Sequence, residues 1–319
     1  MLAANTDIVE ERLPARWSAE LSLLAVVLIW GMNMPMMKFA LGRMDEYLFN
    51  FARLSFSSLL LGCLILFRRD KFLDHSPHAR PIGYQIFYIL LFSLLAGFAY
   101  QLFFMLGMRS TSAGNTALIL STMPIWASLL ALVFLREHLS RIAWIGLGIA
   151  LGGTTLVALG KDPGPNASSL VGNLLVALAA LSWAVASVIS RPMMRNIGPI
   201  PLAFSAVTIT LPLHLLLARS TLFDIQEMFQ DPLLFGAVAF SGLFSTGVAY
   251  ALYNFSVAQL GTAHATAYQN LVPAVAIFFA WLFINEIPYE SQIIGGILII
   301  SGLLIMRWKR TAMAISTAK

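Results

Sequence analysis

GFAYQLFFMLGMRSTSAGNTALILSTMP, residues 97–124, and GVAYALYNFSVAQLGTAHATAYQNLVP, residues 247–273, are two versions of one segment. Gly97, Ala99, Tyr100 and Leu102 fall on Gly247, Ala249, Tyr250 and Leu252 at a spacing of 150. After one deleted residue, Pro124 falls on Pro273 and Glu137 on Glu286, at 149. Gly146 and Gly153 then fall on Gly295 and Gly302. Upstream, WGMNMPMMK from Trp30 answers WAVASVISR from Trp183, at 153. A unit of about 150 residues is written twice, and such internal repeats govern how the whole chain is read.

The surroundings of the repeat say where it sits. The chain is 59% hydrophobic and 11% charged, with a mean hydropathy of +0.80. A soluble domain carries about 25% charged residues, so this chain cannot cover its surface in water and the lipid bilayer is its expected solvent. The net charge of +5 is distributed at the ends of apolar runs. No basic face with base-reading or stacking residues exists, which excludes nucleic-acid binding. Cys63 is the single cysteine, so disulfides and cysteine-based metal sites are excluded. Residues 1–19 mix acids and bases and read as a polar tail rather than a cleaved signal peptide.

A spanning helix needs about 20 mostly apolar residues. Spans are expected at 20–38, 46–67, 83–106, 112–134, 141–159, 170–190, 200–218, 233–255, 262–284 and 290–308. From Pro232 to Asn285 there is no Asp, Glu, Lys or Arg, and the turn-like Gln-Leu-Gly-Thr at 259–262 divides that stretch into two helices. Continuous rather than alternating hydrophobicity rules out a β-barrel. With the N-terminus inside, the inner segments hold Arg12, Arg16, Arg68, Arg69, Lys71, Arg80, Arg136, Arg141, Arg191, Arg195, Arg307, Lys309, Arg310 and Lys319. The outer loops hold Lys38, Arg43, Arg109, Lys161 and Arg219. Fourteen against five puts both termini in the cytoplasm. Each copy contains an odd number of spans, so the second enters the membrane upside down. The expected fold is all-α: ten transmembrane helices as two inverted five-helix repeats, residues 20–160 and 170–308. A linker at 161–169 joins them and a short tail at 309–319 follows. Such inverted repeats build transporters with substrate sites near the midplane.

At this point the chain resembles the drug/metabolite transporter superfamily, in its EamA-type branch. The resemblance rests on Trp30-Gly31-x-Asn33 in the first helix, the small-residue-rich fourth helix running into Pro124, and Leu135-Arg136-Glu137. It rests also on the glycine-spaced helix from Gly146 to Gly153 and on the second copy's Pro273, Glu286, Gly295 and Gly302. The second copy departs at the first signature, where Ala184 and Ala186 replace Gly and Asn. The resemblance implies an exporter of amino acids or related metabolites in the plasma (inner) membrane.

Pro124 and Pro273 each lack an amide hydrogen and clash with the carbonyl four residues back, at Leu120 and Gln269. Both read as kinks, either gating a cavity or reflecting the ordinary frequency of proline in membrane helices. Thr262, Thr266, Gln269 and Pro273 share one helix face, and a polar stripe should point inward. Asn33, Arg53, Tyr100, Gln101, Asn115, Trp183, Tyr250, Asn254, His264 and Gln269 are the candidate substrate residues, since amides and aromatic faces suit an amino acid. Arg53, the one strong charge well inside a span, either binds a substrate carboxylate or snorkels toward Asp45 and Glu46. His264 is a candidate proton carrier, whereas His214 reads as packing. Glu137 and Glu286 read as structural, paired with a base at the membrane surface. Gly148-x-x-x-Gly152 allows close packing on a neighbouring helix or on a second copy in a homodimer. There is no GxxxxGK[ST] and no HExxH, so neither ATP-driven transport nor an enzyme is expected, and no cofactor or metal. The expectation is a secondary transporter working by alternating access on amino acids or related small molecules. A drug, nucleoside or other metabolite is the alternative substrate, and a channel the other class.

Overall fold

The computed structural model describes residues 3–68, 81–134, 140–160, 170–190 and 197–316. The expected linker 161–169 and the residues Arg136 and Glu137 lie outside that set, as do the side chains of Thr262 and Thr266. Among the described residues there are helices and no strand. Eight helices are long and apolar enough to cross a membrane. They are α1 (Trp17–Leu41), α2 (Glu46–Phe67), α3 (Ile82–Ser110), α4 (Ala113–Phe134), α5 (Arg141–Leu159), α6 (Leu170–Ser190), α7 (Pro199–Ser220) and α8 (Pro232–Leu260). Two further apolar stretches are shorter. One is the second segment of α9, which runs Thr262–Gln269 and then Val272–Ile284, and the other is α10 (Glu290–Met306). The backbone of the first helix begins at Ala3, so the expected polar tail continues the helix rather than forming a separate coil.

Large apolar side chains point outward, with Leu66 at 79% and Phe67 at 87% exposure, while Asn50, Arg53, Gln101, Asn115 and His214 are buried. Polar groups inside and hydrocarbon outside is the arrangement a bilayer demands, because lipid offers a polar group no partner. Helix ends carry their own caps: Ser112 accepts from the Asn115 amide at 3.1 Å, Ser140 from Ala143 at 3.2 Å, and Asp45 from Tyr47 and Leu48, each at 3.0 Å. Asp231 accepts from Leu233 and Leu234 at the start of α8 and meets Arg43 at 2.9 Å. Those amides, Leu234 first, and Arg43 hold its carboxyl below the usual range.

The predicted proline kinks turn out to be breaks. α4 ends its first segment at Leu120 and resumes at Met123; α9 ends its first segment at Gln269 and resumes at Val272. Pro124 and Pro273 then sit in the first turn of the resumed helix, where a missing N–H costs nothing. At the break in α4 two hydroxyls bond back to the preceding turn: Ser121 Oγ donates to the Leu118 carbonyl and Thr122 Oγ1 to that of Ile119, both at 2.6 Å. Gly261, at φ +83°, provides the turn that separates α8 from α9.

Two helical segments depart from the α-form that continuous apolar runs predict. Ser93–Ala99 in α3 and Phe240–Val248 in α8 are π-helical, and they occupy equivalent places in the two copies. Each lies against the second helix of the other half: the first against α7, the second against α2. Gly97 faces the Ala206 carbonyl and Gly242 the Arg53 carbonyl, so both contacts depend on a missing Cβ.

Packing runs almost wholly between halves. α1 meets α8 and α9, α6 meets α3 and α4, α2 meets α7, and α5 meets α10. In the last pair, a Cβ at Gly146 would lie 2.5 Å from the Gly302 carbonyl oxygen, and one at Gly302 would lie 2.5 Å from that of Gly146. Gly153 and Gly295 face one another in the same way, at 2.6 and 2.8 Å. A Cβ at Gly148 or Gly152, by contrast, would meet nothing within 4 Å among the described residues. Gly146→Leu should therefore destabilise the detergent-purified protein by about 1–3 kcal/mol or more through overpacking, read as a lowered Tm. Gly148→Leu should leave Tm unchanged. Equal effects of the two substitutions would remove the proposed asymmetry of α5.

Candidate functional site

Arg53 lies one helical turn beyond Asn50 on α2 and is 3% exposed. Its Nε donates to Asn50 Oδ1 at 3.0 Å and its Nη2 to Gln101 Oε1, from α3, at 2.5 Å. Asn50 Nδ2 meets His214 Nδ1, from α7, at 3.1 Å, and His214 Nε2 meets the Gly97 carbonyl at 2.9 Å. A carbonyl only accepts, so Nε2 carries the hydrogen and Nδ1 accepts from Asn50. One neutral tautomer satisfies every link. The Phe49 and Phe104 ring centroids lie 5.9 and 5.8 Å from the guanidinium carbon. Tyr100 stacks on Phe104 at 5.6 Å and meets Trp183, from α6, at 5.2 Å. Arg53 does not snorkel: Asp45 caps its own helix and Glu46 pairs with Arg109.

A second polar cluster joins the end of α1 to the starts of α4, α6 and α10. Asn115 Nδ2 donates to Asn173 Oδ1 at 3.2 Å, and Asn173 also accepts from Thr111 at 2.5 Å. Tyr289 Oη and Gln292 Nε2 donate to Asn115 Oδ1 at 2.6 and 3.0 Å. Lys38 Nζ donates to the carbonyls of Met108, Arg109 and Thr111 at 2.6–3.0 Å. Among the described residues Glu286 does not pair with a base as expected. Its carboxylate accepts from the Ala113 and Gly114 amides at 3.1 and 3.3 Å, capping α4, where the helix dipole favours a negative charge.

A third cluster lies at the other end of α1. His264 Nε2 is 3.2 Å from Glu20 Oε1, and Tyr268 Oη donates to the same carboxylate. Ser256, from α8, donates to the Ala19 carbonyl at 2.9 Å. Glu20 and Lys38 are 18 residues apart on one helix, about 27 Å at 1.5 Å per residue. The two clusters therefore lie at opposite ends of the bundle. Under the spacings of the repeat, Glu20 corresponds to Asn173 and Asn115 to His264. The amide pair at one end and the histidine–carboxylate contact at the other occupy equivalent places.

Of the predicted residues, Arg53, Gln101, Tyr100 and Trp183 come together. Asn115 and His264 go to the two ends instead. Asn33 is buried on α1, its Nδ2 on Met37 Sδ at 3.1 Å and its Oδ1 without a hydrogen-bond partner among the described residues. Asn254 donates to the Tyr250 carbonyl one turn back at 2.7 Å, on α8, and Gln269 ends the first segment of α9. Trp30, beside Asn33 in the sequence signature, donates to the Ser245 carbonyl at 2.9 Å and tilts onto Tyr253. Asn50, Glu20, Asn173, Tyr289 and Gln292 were missed. Asn50 was legible as a polar neighbour at i−3 of Arg53. Glu20 was obscured because an acid at the head of an apolar run reads as a boundary.

The EamA-like transporter family model matches residues 17–159 and again 170–308. The "Uncharacterized transporter YoaV" of Bacillus subtilis is 28% identical over 89% of this chain and 95% of its own length. The "Uncharacterized transporter YdfC" of the same organism is 30% identical, covering 65% of this chain and 67% of its own. A "Probable terminal-alkyne amino-acid exporter" of Streptantibioticus cattleyicolor is 26% identical over 65% of this chain and 68% of its own. A solved crystal structure superposes with a TM-score of 0.61 at 18% identity, over 93% of this chain and 99% of that one, and shares the fold. A family model matched twice, across nearly the whole chain, settles the assignment: this protein is a multi-pass membrane protein of the EamA-like transporter family.

Proposed function

We propose that the protein is a secondary transporter that exports amino acids or related small metabolites by alternating access. Its ten membrane-crossing helices form two inverted halves, residues 20–160 and 170–308. The observation that carries this reading is one contact made twice, at opposite ends of the bundle: Asn115 with Asn173, and His264 with Glu20. Inverted repeats exchange under an axis in the membrane plane. That exchange converts the first contact into the second, and Gly146–Gly302 into Gly295–Gly153. The breaks before Pro124 and Pro273 are mates under it, so α9 counts as one span like α4. Carriers of this kind open one end while the other stays closed, by rocking one bundle against the other. Here each closure consists of a few side chains beside a broken helix. The breaks give each fourth helix a place to bend, which is the gating role assigned to the two prolines.

The orientation rests on the basic residues: fourteen on the side of the termini against five on the other make that side cytoplasmic, in the plasma (inner) membrane. Asn33, Tyr250, Asn254 and Gln269 remain candidate substrate contacts on the second wall of the path. The amino-acid class draws support from the name of the Streptantibioticus relative.

Counterflow in proteoliposomes tests the function. Labelled amino acids should accumulate transiently against unlabelled solute, whereas a channel gives no trans-stimulation. On a Cys63→Ser background, Asn115→Cys with Asn173→Cys, joined by a short thiol-cleavable cross-linker, should stop counterflow until reduced. Glu20→Cys with His264→Cys should do the same at the other end. Undiminished counterflow with either end cross-linked would overturn alternating access. Separately, an epitope tag at either terminus should resist protease added to intact cells. Cleavage of either tag would overturn the orientation.

A further inference from the structure

Three other cations near the bundle have ordinary partners: Arg43 meets Asp231, Arg109 meets Glu46, and Lys38 sits on three carbonyl oxygens. Arg53 is different. It is the one Lys, Arg, Asp or Glu side chain that is fully buried among the described residues. Both its hydrogen-bond partners are neutral amides, and no carboxylate of the described residues lies within 4.0 Å of it. A buried charge without a counter-ion is strongly unfavourable, yet this guanidinium is held rigidly by a chain of bonds from three helices. Guanidinium carries five N–H donors and cannot lose its charge in a protein. Nε and one Nη2 hydrogen are used here, and Nη1 has no hydrogen-bond partner among the described residues.

On the transport reading above, we infer that this free edge receives the carboxylate of the transported solute, and that the solute is recognised as a monocarboxylate. A planar carboxylate matches the edge of a guanidinium. One bound monoanion neutralises the buried charge, whereas a phosphate dianion would leave an excess of negative charge. A cationic drug would meet a like charge. The aromatic group beside Arg53 – Phe104, Tyr100 and Trp183 – offers an apolar wall for the rest of the solute. No acidic group of this cluster is placed to read an ammonium. An α-amino group is therefore dispensable at this site, and a carboxylate without one binds there as well.

The test is counterflow of labelled phenylalanine in proteoliposomes of the full chain, with unlabelled competitors. 3-Phenylpropionate should compete within about threefold of phenylalanine, and phenylalaninamide and phenyl phosphate about tenfold more weakly or worse, since losing a hydrogen bond to a charged group has that size. R53Q should reduce counterflow at least about tenfold, and R53K should fall between R53Q and wild type. Equal competition by the amide, failure of 3-phenylpropionate to compete, or normal counterflow in R53Q would each overturn the inference while leaving the transporter standing. If R53Q does not fold, the competitor series on the wild type still decides. If labelled phenylalanine does not move at all, the amino-acid reading fails by itself. The site is then decided by whether 3-phenylpropionate raises the Tm of the wild-type protein in detergent. A rise that R53K diminishes retains the carboxylate site, and no rise removes it.

Discussion

In hydrocarbon an amide, hydroxyl or guanidinium has no water to turn to, so most polar groups inside this bundle are positioned by their need for a partner. That constraint accounts for most of the architecture. It turns polar side chains inward, gathers many of them into three clusters, and at the break before Pro124 sets the Ser121 and Thr122 hydroxyls on carbonyls of the preceding turn. Helix association in lipid gains little from hydrophobicity, since lipid tails are as apolar as leucine. Close backbone contact and polar pairing take over that role. The glycine contacts of α5 with α10 supply the first, and the Asn50–Arg53–Gln101 and Asn115–Asn173 groups supply the second.

The two halves share a backbone plan but not a chemistry. Glu20 and His264 at one end stand where Asn173 and Asn115 stand at the other. Two neutral amides meet at one end, and a carboxylate and an imidazole at the other. Arg53 has Ala206 at its equivalent position, so its cluster has no second copy. The shared backbone plan places the two contacts alike, while the side chains that make them differ.

Much of this was legible in the letters. Repeat spacing singled out the four glycines that make the contact, although it did not say that Gly146 meets Gly302 rather than its own mate Gly295. Proline chemistry located the breaks to the residue, because the clash with Leu120 and Gln269 ends each helix there. The π-helical segments left no trace in the reading, since one extra residue per turn does not disturb a continuous apolar run. They arise where α3 and α8 press Gly97 and Gly242 onto neighbouring carbonyls, which is a tertiary event. Arg53 stood out as an intramembrane charge, but its direction did not. Asn50 is local, whereas Gln101 and His214 are 48 and 161 residues away in the chain (101 − 53 and 214 − 53) and reach it only through the fold. Glu20 illustrates the converse, a residue whose partner makes it meaningful after its position made it look peripheral.

The bonds that run from Arg53 through Asn50 and His214 to the Gly97 carbonyl have a fixed polarity. One end can only donate and the other can only accept, so neither the amide nor the imidazole between them is able to turn around. A hydrogen-bonded wire that conducts protons must be reversible, each member passing a hydrogen forward and then resetting. This series cannot reset without breaking at one of its ends. It anchors a positive charge without offering a route for protons to escape, and any coupling to a proton gradient has to run along a different path through the bundle.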